Sequence, residues 1–248
     1  MVPIDASTPT PVPVTVDLIG RLGLFHGLDA DALAAIVQVA HVRAVPSGSC
    51  FFLQEDPATR FYVLIEGRVR LTQVTAEGQQ VILRFITPGE GMGIVAALGA
   101  MDYPASAEAL DACQALMWEG SAVAALMERY PRLALNGMRL LAQRVREFQD
   151  RLRELATERV ERRVARMLLR LARQSGHKVA GGILIDLPLS RQALAEMTGT
   201  TLYTVSRILS QWEAQNLVES GRKRVVIRHS HGLVVIADDL LDACESHA

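Results

Sequence analysis

The chain has few of the residues that build covalent cross-links, metal clusters or membrane spans. Its 248 residues include only 3 cysteines, Cys50, Cys113 and Cys244, and no two of them form a C-x-x-C pair. A disulfide framework, a cysteine-rich zinc site and an iron–sulfur cluster are therefore not expected. No apolar run approaches the roughly 20 residues of a membrane-spanning helix, and the first residues lack the pattern of a signal peptide. We expect a cytoplasmic protein that does not contact a membrane.

Motifs of common catalytic sites are also missing from the sequence. It contains no glycine-rich phosphate loop, no H-E-x-x-H pair and no G-x-S-x-G nucleophile elbow. The chain is therefore not expected to be an enzyme. Aromatic residues make up only 5% of the chain, but 50% of its residues are hydrophobic, which is ample for two modest domain cores.

Charge is unevenly distributed along the chain, although the net charge is only −1. Residues 1–138 carry 8 Lys and Arg against 14 Asp and Glu, whereas residues 139–236 carry 18 against 9. The basic half favours a polyanionic partner such as DNA, although arginine-rich helices are as often simply solvated. An acidic tail is expected over residues 237–248.

The first half of the chain has the pattern of a β-rich domain behind a leader. Residues 1–17 contain 4 prolines and are expected to form a disordered leader. A short helix is predicted from Asp29 to Val39. From His41 to Trp118, short β-rich runs alternate with glycines, as in an antiparallel sandwich or barrel. We assign residues 18–130 to this domain.

A long helix with a narrow apolar stripe is predicted over residues 131–156. A stripe of this width fits another helix better than a broad core, so we interpret it as the interface of a parallel coiled-coil homodimer. The alternative is a single helix packed on its own barrel. The apolar side chains at heptad spacing are Met138, Leu141, Val145, Phe148, Leu152 and Leu155.

Residues 157–236 have the pattern of a winged helix-turn-helix. An amphipathic helix is predicted from Glu158 to Arg173, followed by the strand ILIDLPL. The motif itself spans residues 191–210, with small Ala195 and Gly199 where two crossing helices and their turn need them. A helical hairpin inside a core is the alternative, which the exposed polar residues disfavour. A basic hairpin, Leu217 to Ile227, follows as the wing.

The expected DNA contacts lie on the second helix of the motif and around it. Arg207 is placed to bond guanine O6 and N7 in the major groove, although pairing with a phosphate or a nearby Glu is the alternative. The wing residues are expected to contact the phosphate backbone of the DNA. The predicted set is Ser190, Arg191, Gln192, Thr200, Thr201, Tyr203, Thr204, Ser206, Arg207, Arg222, Lys223 and Arg224.

With sandwich, heptad helix and winged motif in this order, the chain resembles the CRP/FNR superfamily of bacterial regulators. The string LSRQALAEMTGTTLYTVSRILSQWEAQNLV carries most of the resemblance, together with the glycine framework of the first domain. The resemblance implies an α+β fold with a cyclic-nucleotide-binding-like β-sandwich (jelly roll), a long dimerisation helix and a C-terminal winged helix-turn-helix. It also implies a homodimeric activator that binds a palindromic promoter site in double-stranded DNA and contacts RNA polymerase.

The effector is where this sequence departs from the cyclic AMP-binding members. Their Gly-Glu for the ribose corresponds to Gly93-Ile94 here, and their Arg-Ser for the phosphate corresponds to Ala105-Ser106. Cyclic AMP bound in the usual manner is disfavoured, because the buried anion would lack a cation. The alternative is a regulator whose non-standard pocket takes a cyclic nucleotide or another small ligand. The expected effector pocket is Met92, Gly93, Ile94, Ala105 and Ser106.

The segment PGEGMGIVAALGAMDYPASAEAL and the string TGTTLYTVSR are similar to the branch called DNR or NnrR. That resemblance implies nitric oxide as the signal, bound through haem. His26 and His41 are haem-ligand candidates only because they lie in the sensory half, and a lone histidine is more often a surface or satisfied residue.

Two functions of different class are consistent with the sequence. In the first, an effector bound against Met92 to Leu98 changes how the Met138 to Leu155 helix pairs with its twin and so orients two DNA-binding domains. In the second, the chain is a ligand-binding module whose basic half docks an acidic protein partner. Salt-dependent binding to DNA with a sequence preference would distinguish the first from the second.

Overall fold

The computed structural model describes residues 15–238, which divide into two compact units between Val145 and Arg146. Most of the predicted leader and acidic tail lies outside the described residues. The predicted leader ends a few residues too late, and the predicted tail begins too early. Val16 and Asp17 lie in a helix that Thr15 caps, and Ala237 is buried within the last helix. No helix within the described range is long and apolar enough to cross a membrane.

The first unit is a β-sandwich with helices on one side. One sheet has the strand order β1-β8-β3-β6 and the other has β2-β7-β4-β5. The strands are β1 His41–Val45, β2 Cys50–Phe52, β3 Arg60–Glu66, β4 Val69–Val74, β5 Gln80–Ile86, β6 Gly91–Met92, β7 Ser106–Ala109 and β8 Cys113–Glu119. Its helices are α1 Val16–Gly20, α2 Ala30–Gln38 and α3 Gly120–Arg129, with 3-10 turns at Gly23–Phe25 and Ile94–Leu98. The long helix α4 Pro131–Thr157 contains the boundary between the two units.

Apolar alternation along the strands builds two cores, one on each side of the first sheet. Between the sheets, Phe52, Tyr62 and Met92 pack with small alanines. On the other side, Phe61 and Trp118 face the helices. The Trp118 indole Nε1 donates a hydrogen bond to the Ile36 carbonyl at 3.0 Å, so the buried ring has its polar atom satisfied as it packs under α2.

The turn between β3 and β4 shows why one glycine is required. Gly67 has φ +88°, and a Cβ there would lie 2.6 Å from Cys113 Sγ and 2.8 Å from the Ala112 carbonyl oxygen. Both the backbone conformation and the space exclude a larger residue. The glycine pattern seen in the sequence thus has a steric cause at this turn.

The second unit contains the winged helix-turn-helix. Its helices are α5 Val160–Ser175, α6 Arg191–Thr198, α7 Leu202–Ala214 and α8 Ser230–Asp238. Its sheet has the order β11-β12-β10-β9, from β9 Gly176–Val179, β10 Gly182–Ile185, β11 Val218–Gly221 and β12 Arg224–Ile227. The expected strand ILIDLPL is shorter than predicted, because pairing with β12 stops at Ile185, and β9 was missed because GHKV has no apolar alternation.

The core of the second unit is organised by α5 and by the tryptophan of α7. Val164, Leu168 and Leu171 form the buried face of α5, which packs against α6 and α8. Trp212 is fully buried, and its indole Nε1 donates to Glu161 Oε1 at 3.0 Å. This core supports the two helices of the motif from behind and leaves their other faces exposed.

Candidate nucleic-acid interface

The helix-turn-helix is built on two side-chain caps and one left-handed glycine. Ser190 Oγ accepts a hydrogen bond from the Ala193 amide at 3.0 Å, and Thr201 Oγ1 accepts one from the Thr204 amide at 3.2 Å. Serine and threonine are both favoured at the position that caps the start of a helix. Gly199 ends α6 with φ +60°, the left-handed conformation that lets α7 start at once in a new direction.

Two arginines outside the motif hold the end of α6. Arg163 on α5 donates through Nε to the Thr198 carbonyl at 3.1 Å and through Nη2 to the Gly199 carbonyl at 3.4 Å. Arg151, near the end of α4, donates to the Met197 carbonyl at 3.4 Å. These carbonyls have no partner inside α6, so the guanidinium groups satisfy them and match the negative end of the helix dipole.

Neither arginine is predicted from the sequence, because charge alone does not distinguish a structural arginine from one that faces DNA. Arg151 is half-buried, and this burial, together with the neighbouring Arg170, lowers the pKa of its guanidinium. Arg170 in turn makes two hydrogen bonds to the buried carboxylate of Glu154, at 2.6 and 3.0 Å. Part of the positive charge counted in this half is therefore structural.

The exposed face of α7 carries the predicted reading residues. Arg207 is exposed, and its guanidinium makes no hydrogen bond or ion pair to any residue in the described range 15–238. Tyr203 is 78% exposed, and the hydroxyls of Thr201 and Thr204 lie 2.9 Å apart. Leu202, which the sequence analysis did not select, is 48% exposed beside them. This face presents one free cation, hydroxyl groups and an apolar surface.

The wing is a two-stranded hairpin with a basic tip. Arg222 and Lys223 are exposed at the turn, and Lys223 has φ +56°. Arg224 donates to Glu219 Oε1 at 3.1 Å, and Glu219 is also paired with Arg228. Hydrogen bonding to Arg228 lowers the pKa of the Glu219 carboxyl. Arg222 and Lys223 thus remain available for a phosphate backbone, whereas Arg224 is shared with a carboxylate.

The remaining predicted DNA contacts are partly engaged within the domain. Arg191 Nη2 donates to Ser220 Oγ at 3.1 Å and lies 3.7 Å from Glu213 Oε2, which ties α6 to the wing. Gln192 Nε2 donates to Glu196 on the next turn at 2.9 Å. The Thr200 amide bonds the Ala195 carbonyl at 3.1 Å. Arg191 therefore positions the wing, and any phosphate contact would compete with Ser220.

The predicted effector-pocket residues lie around β6 and the start of β7, but they do not share one apolar cluster. Met92 packs between the two sheets, whereas Ile94 packs on the helix side with Phe61 and Trp118. Ala105 is buried, and Ser106 Oγ accepts a hydrogen bond from the Gln54 amide at 2.9 Å. The hydroxyl that the resemblance assigns to a phosphate is thus already held by backbone.

Aromatic side chains fill the sandwich beside the loop between β6 and β7. Tyr103 stacks on Phe52 with ring centroids 3.9 Å apart. Its hydroxyl accepts from the Arg60 amide at 3.0 Å and donates to the Arg60 carbonyl at 2.7 Å. Burial raises the pKa of Tyr103. Gly93 has φ +76°, and a Cβ there would lie 2.8 Å from the Arg60 carbonyl oxygen, so the loop is closed tightly onto β3.

A half-buried carboxylate connects the segment before β6 to α4. Glu90 Oε1 accepts hydrogen bonds from Arg144 of α4 at 2.9 Å and from Arg84 of β5 at 3.2 Å. Its Oε2 accepts from the amide and hydroxyl of Thr87. Burial raises the pKa of Glu90, but Arg84, Thr87 and Arg144 outweigh it, so the pKa lies below its ordinary value. Glu90 is therefore a charged contact between the sensory domain and the long helix.

The two haem-ligand candidates lie outside the loop between β6 and β7. His26 follows the 3-10 turn and His41 begins β1, and both are exposed. A haem ligand projects into an apolar pocket large enough for the macrocycle. Within residues 15–238 there is also no group of His, Cys, Asp and Glu side chains arranged to hold a metal ion. The two histidines do not fit a haem held in the first unit.

The apolar seam of α4 is exposed in the single chain. The exposed fractions of its six side chains lie between 45% and 69%. The seam residues are Met138, Leu141, Val145, Phe148, Leu152 and Leu155. A Cβ on Gly199 would lie 2.9 Å from Leu155 Cδ2, so Leu155 also touches the turn of the helix-turn-helix. An apolar stripe of this length is unusual on a monomer surface.

A sandwich of this topology followed by a winged helix-turn-helix defines a DNA-binding regulator with an effector-binding domain. The family model "Cyclic nucleotide-binding domain" matches residues 42–130, and "Crp-like helix-turn-helix domain" matches residues 162–236. The chain belongs to the CRP/FNR family of transcriptional regulators, and the predicted fold class is confirmed.

Three relatives illustrate the family relationship. The Cyclic AMP receptor protein of Thermus thermophilus is 32% identical over 214 residues, which cover 86% of this chain and 96% of the relative. The transcriptional activator protein FnrA of Stutzerimonas stutzeri is 28% identical over 218 residues, 87% of each chain. The structure of FixK2 from Bradyrhizobium japonicum superposes with a TM-score of 0.70 at 26% identity, covering 80% of this chain and 97% of that one.

The substitution Arg163→Met removes the guanidinium group that binds the end of α6 but keeps much of the aliphatic side chain. We expect amide hydrogen exchange at Thr200 and its neighbours to become about tenfold faster, because the Thr198 and Gly199 carbonyls lose a charged partner. Arg173→Met is the matched control, since Arg173 is exposed on the same helix and makes no hydrogen bond or ion pair within residues 15–238. Equal exchange in the two variants would show that the carbonyls do not need Arg163.

Proposed function

We propose that this protein is a homodimer that binds a palindromic promoter site and that an effector acting on its first unit controls this binding. The observation that carries the proposal is the pairing of an exposed heptad seam with a free Arg207 on the recognition helix. In a parallel coiled coil the two seams cover each other, and a two-fold axis would present two α7 helices to successive turns of the major groove.

Activation is the mode of regulation that we propose. Its support is the name of the relative FnrA, a transcriptional activator, and the homology over 87% of each chain. An activator of this kind contacts RNA polymerase from its promoter site. In vitro transcription from the selected site with purified polymerase would distinguish activation from repression.

DNA selection with the purified full-length protein tests the binding function directly. We expect a two-fold symmetric site whose binding weakens as salt rises. Arg207→Ala should relax the preference for one guanine in each half-site by about 1–3 kcal/mol, since a bidentate contact is lost. Arg222→Ala is the matched arginine control on the wing, and it should weaken binding to all sequences and reduce the salt slope by about one per protomer. Binding without sequence preference would favour the protein-docking module instead.

The double substitution Phe148→Ser with Leu152→Ser tests the dimer. We expect the dimer dissociation constant to rise about 100-fold or more, because four apolar side chains per dimer lose their burial. Affinity for the two-fold site should fall with it. Asp150→Ser is the control, since Asp150 is exposed on the opposite face of α4. Sedimentation of the wild type as a monomer at micromolar concentration would contradict the proposal.

We propose that the effector is small and carries no phosphodiester. Supporting this, the positions that match the ribose and phosphate ligands of cyclic AMP-binding members are Ile94 and buried Ala105, neither of which can neutralise an anion. Nitric oxide, the signal that the resemblance to the DNR or NnrR branch implies, is small and uncharged, but a haem that senses it would need a ligand other than His26 or His41. Effector binding near Met92 would reach α4 through Glu90 and Arg144, which are hydrogen-bonded at 2.9 Å.

An anaerobic absorption spectrum of the protein reconstituted with haem tests how nitric oxide would be sensed. Because His26 and His41 are both exposed, we expect no stoichiometric Soret band from a specific site. A band that shifts with nitric oxide and disappears in His26→Ala or His41→Ala would contradict this and establish haem as the cofactor. The DNA-binding function does not depend on the outcome.

A further inference from the structure

The start of the recognition helix α7 exposes two large side chains that the packing of the domain does not use. Leu202 is the first residue of α7 and is 48% exposed, and Tyr203 is 78% exposed. The buried face of the same helix is already complete without them, and the side chains on that face are Val205, Ile208, Leu209 and Trp212. The Tyr203 hydroxyl makes no hydrogen bond to any residue in the described range 15–238.

Helix geometry puts Tyr203 on the same face as the free arginine, and Leu202 is its neighbour at the start of the helix. Tyr203 and Arg207 are four residues apart, as are Leu202 and Ser206, so each pair lies side by side one turn apart. Thr201 caps the helix directly before Leu202, which fixes the direction in which both side chains leave the backbone. The exposed apolar surface is therefore continuous with the surface that carries Arg207.

Only one chemical group in the major groove of DNA is apolar. The edges of guanine, cytosine and adenine present hydrogen-bond donors and acceptors there, whereas thymine adds a 5-methyl group. Residues at the N-terminus of a recognition helix are the ones that reach base edges. A leucine in that place has no donor or acceptor for the other bases, so contact with a methyl group is the favourable interaction open to it.

We propose that Leu202 and Tyr203 contact thymine 5-methyl groups, so that each half-site is read by methyl contacts beside the Arg207–guanine contact. The proposal rests on the DNA-binding function and deepens it by naming what the apolar surface recognises. Tyr203 acts here through its ring, and its hydroxyl is not needed for the recognition of thymine.

Replacing thymine by deoxyuridine tests the proposal, because this change removes one methyl group and leaves every hydrogen-bonding atom in place. Each thymine of the selected site is replaced in turn, and binding of the full-length protein is measured by fluorescence anisotropy. We expect one or two positions in each half-site to lose about fourfold in affinity per methyl group, and the other thymines to be silent.

Variants then assign each methyl contact to a side chain. Leu202→Ala and Tyr203→Ala should each weaken binding to the thymine site and abolish the effect of deoxyuridine at one position. Tyr203→Phe should behave as the wild type, since it keeps the ring. Gln211→Ala, at an exposed position further along α7, is the control and should leave the deoxyuridine effect unchanged.

The outcomes separate this proposal from the function on which it rests. Specific DNA binding that is indifferent to deoxyuridine at every position would overturn the methyl contacts and leave the DNA-binding function standing. A deoxyuridine effect that survives Leu202→Ala and Tyr203→Ala, or a Tyr203→Phe variant as weak as Tyr203→Ala, would overturn the assignment to these side chains. Failure to bind any DNA site specifically would overturn both proposals.

Discussion

The pairing of the α6 C-terminal carbonyls with Arg163 and Arg151 is the interaction on which the DNA-binding surface depends. The last carbonyls of a helix have no partner within it, and here they accept hydrogen bonds from side chains outside the motif. Guanidinium groups from α5 and α4 satisfy them, so the orientation of the motif is set by helices that lie outside it. These hydrogen bonds fix the orientation of the motif. They leave the side chains on the exposed face of α7 available to a partner.

Two kinds of arginine follow from this arrangement. Arg151, Arg163 and Arg191 form hydrogen bonds within the second unit, whereas Arg207 and Arg222 form none within residues 15–238. A guanidinium already bound to carbonyls adds to the positive field but cannot read a base. Some of the basic residues in this half therefore stabilise the fold, and others are available to bind DNA.

The first unit shows the same division between packing and function. The stacked rings of Tyr103 and Phe52 and the tight approach of Gly93 to β3 hold the segment between β6 and β7 against the sandwich. Neither Ile94 nor the buried Ala105 carries a charge that could pair with an anion. Glu90 is a polar contact between this region and α4, the helix that carries the exposed seam.

The sequence by itself determined the family, the order of the domains, the position of the helix-turn-helix motif and the apolar stripe of α4, because each depends on local spacing or on residue type. Only the tertiary structure decided which arginines are structural, that Met92 and Ile94 face different cores, that both histidines are exposed and that Leu202 is left exposed at the start of α7. The reason is physical: burial and pairing join residues distant in the chain, and a one-dimensional pattern records neither of them.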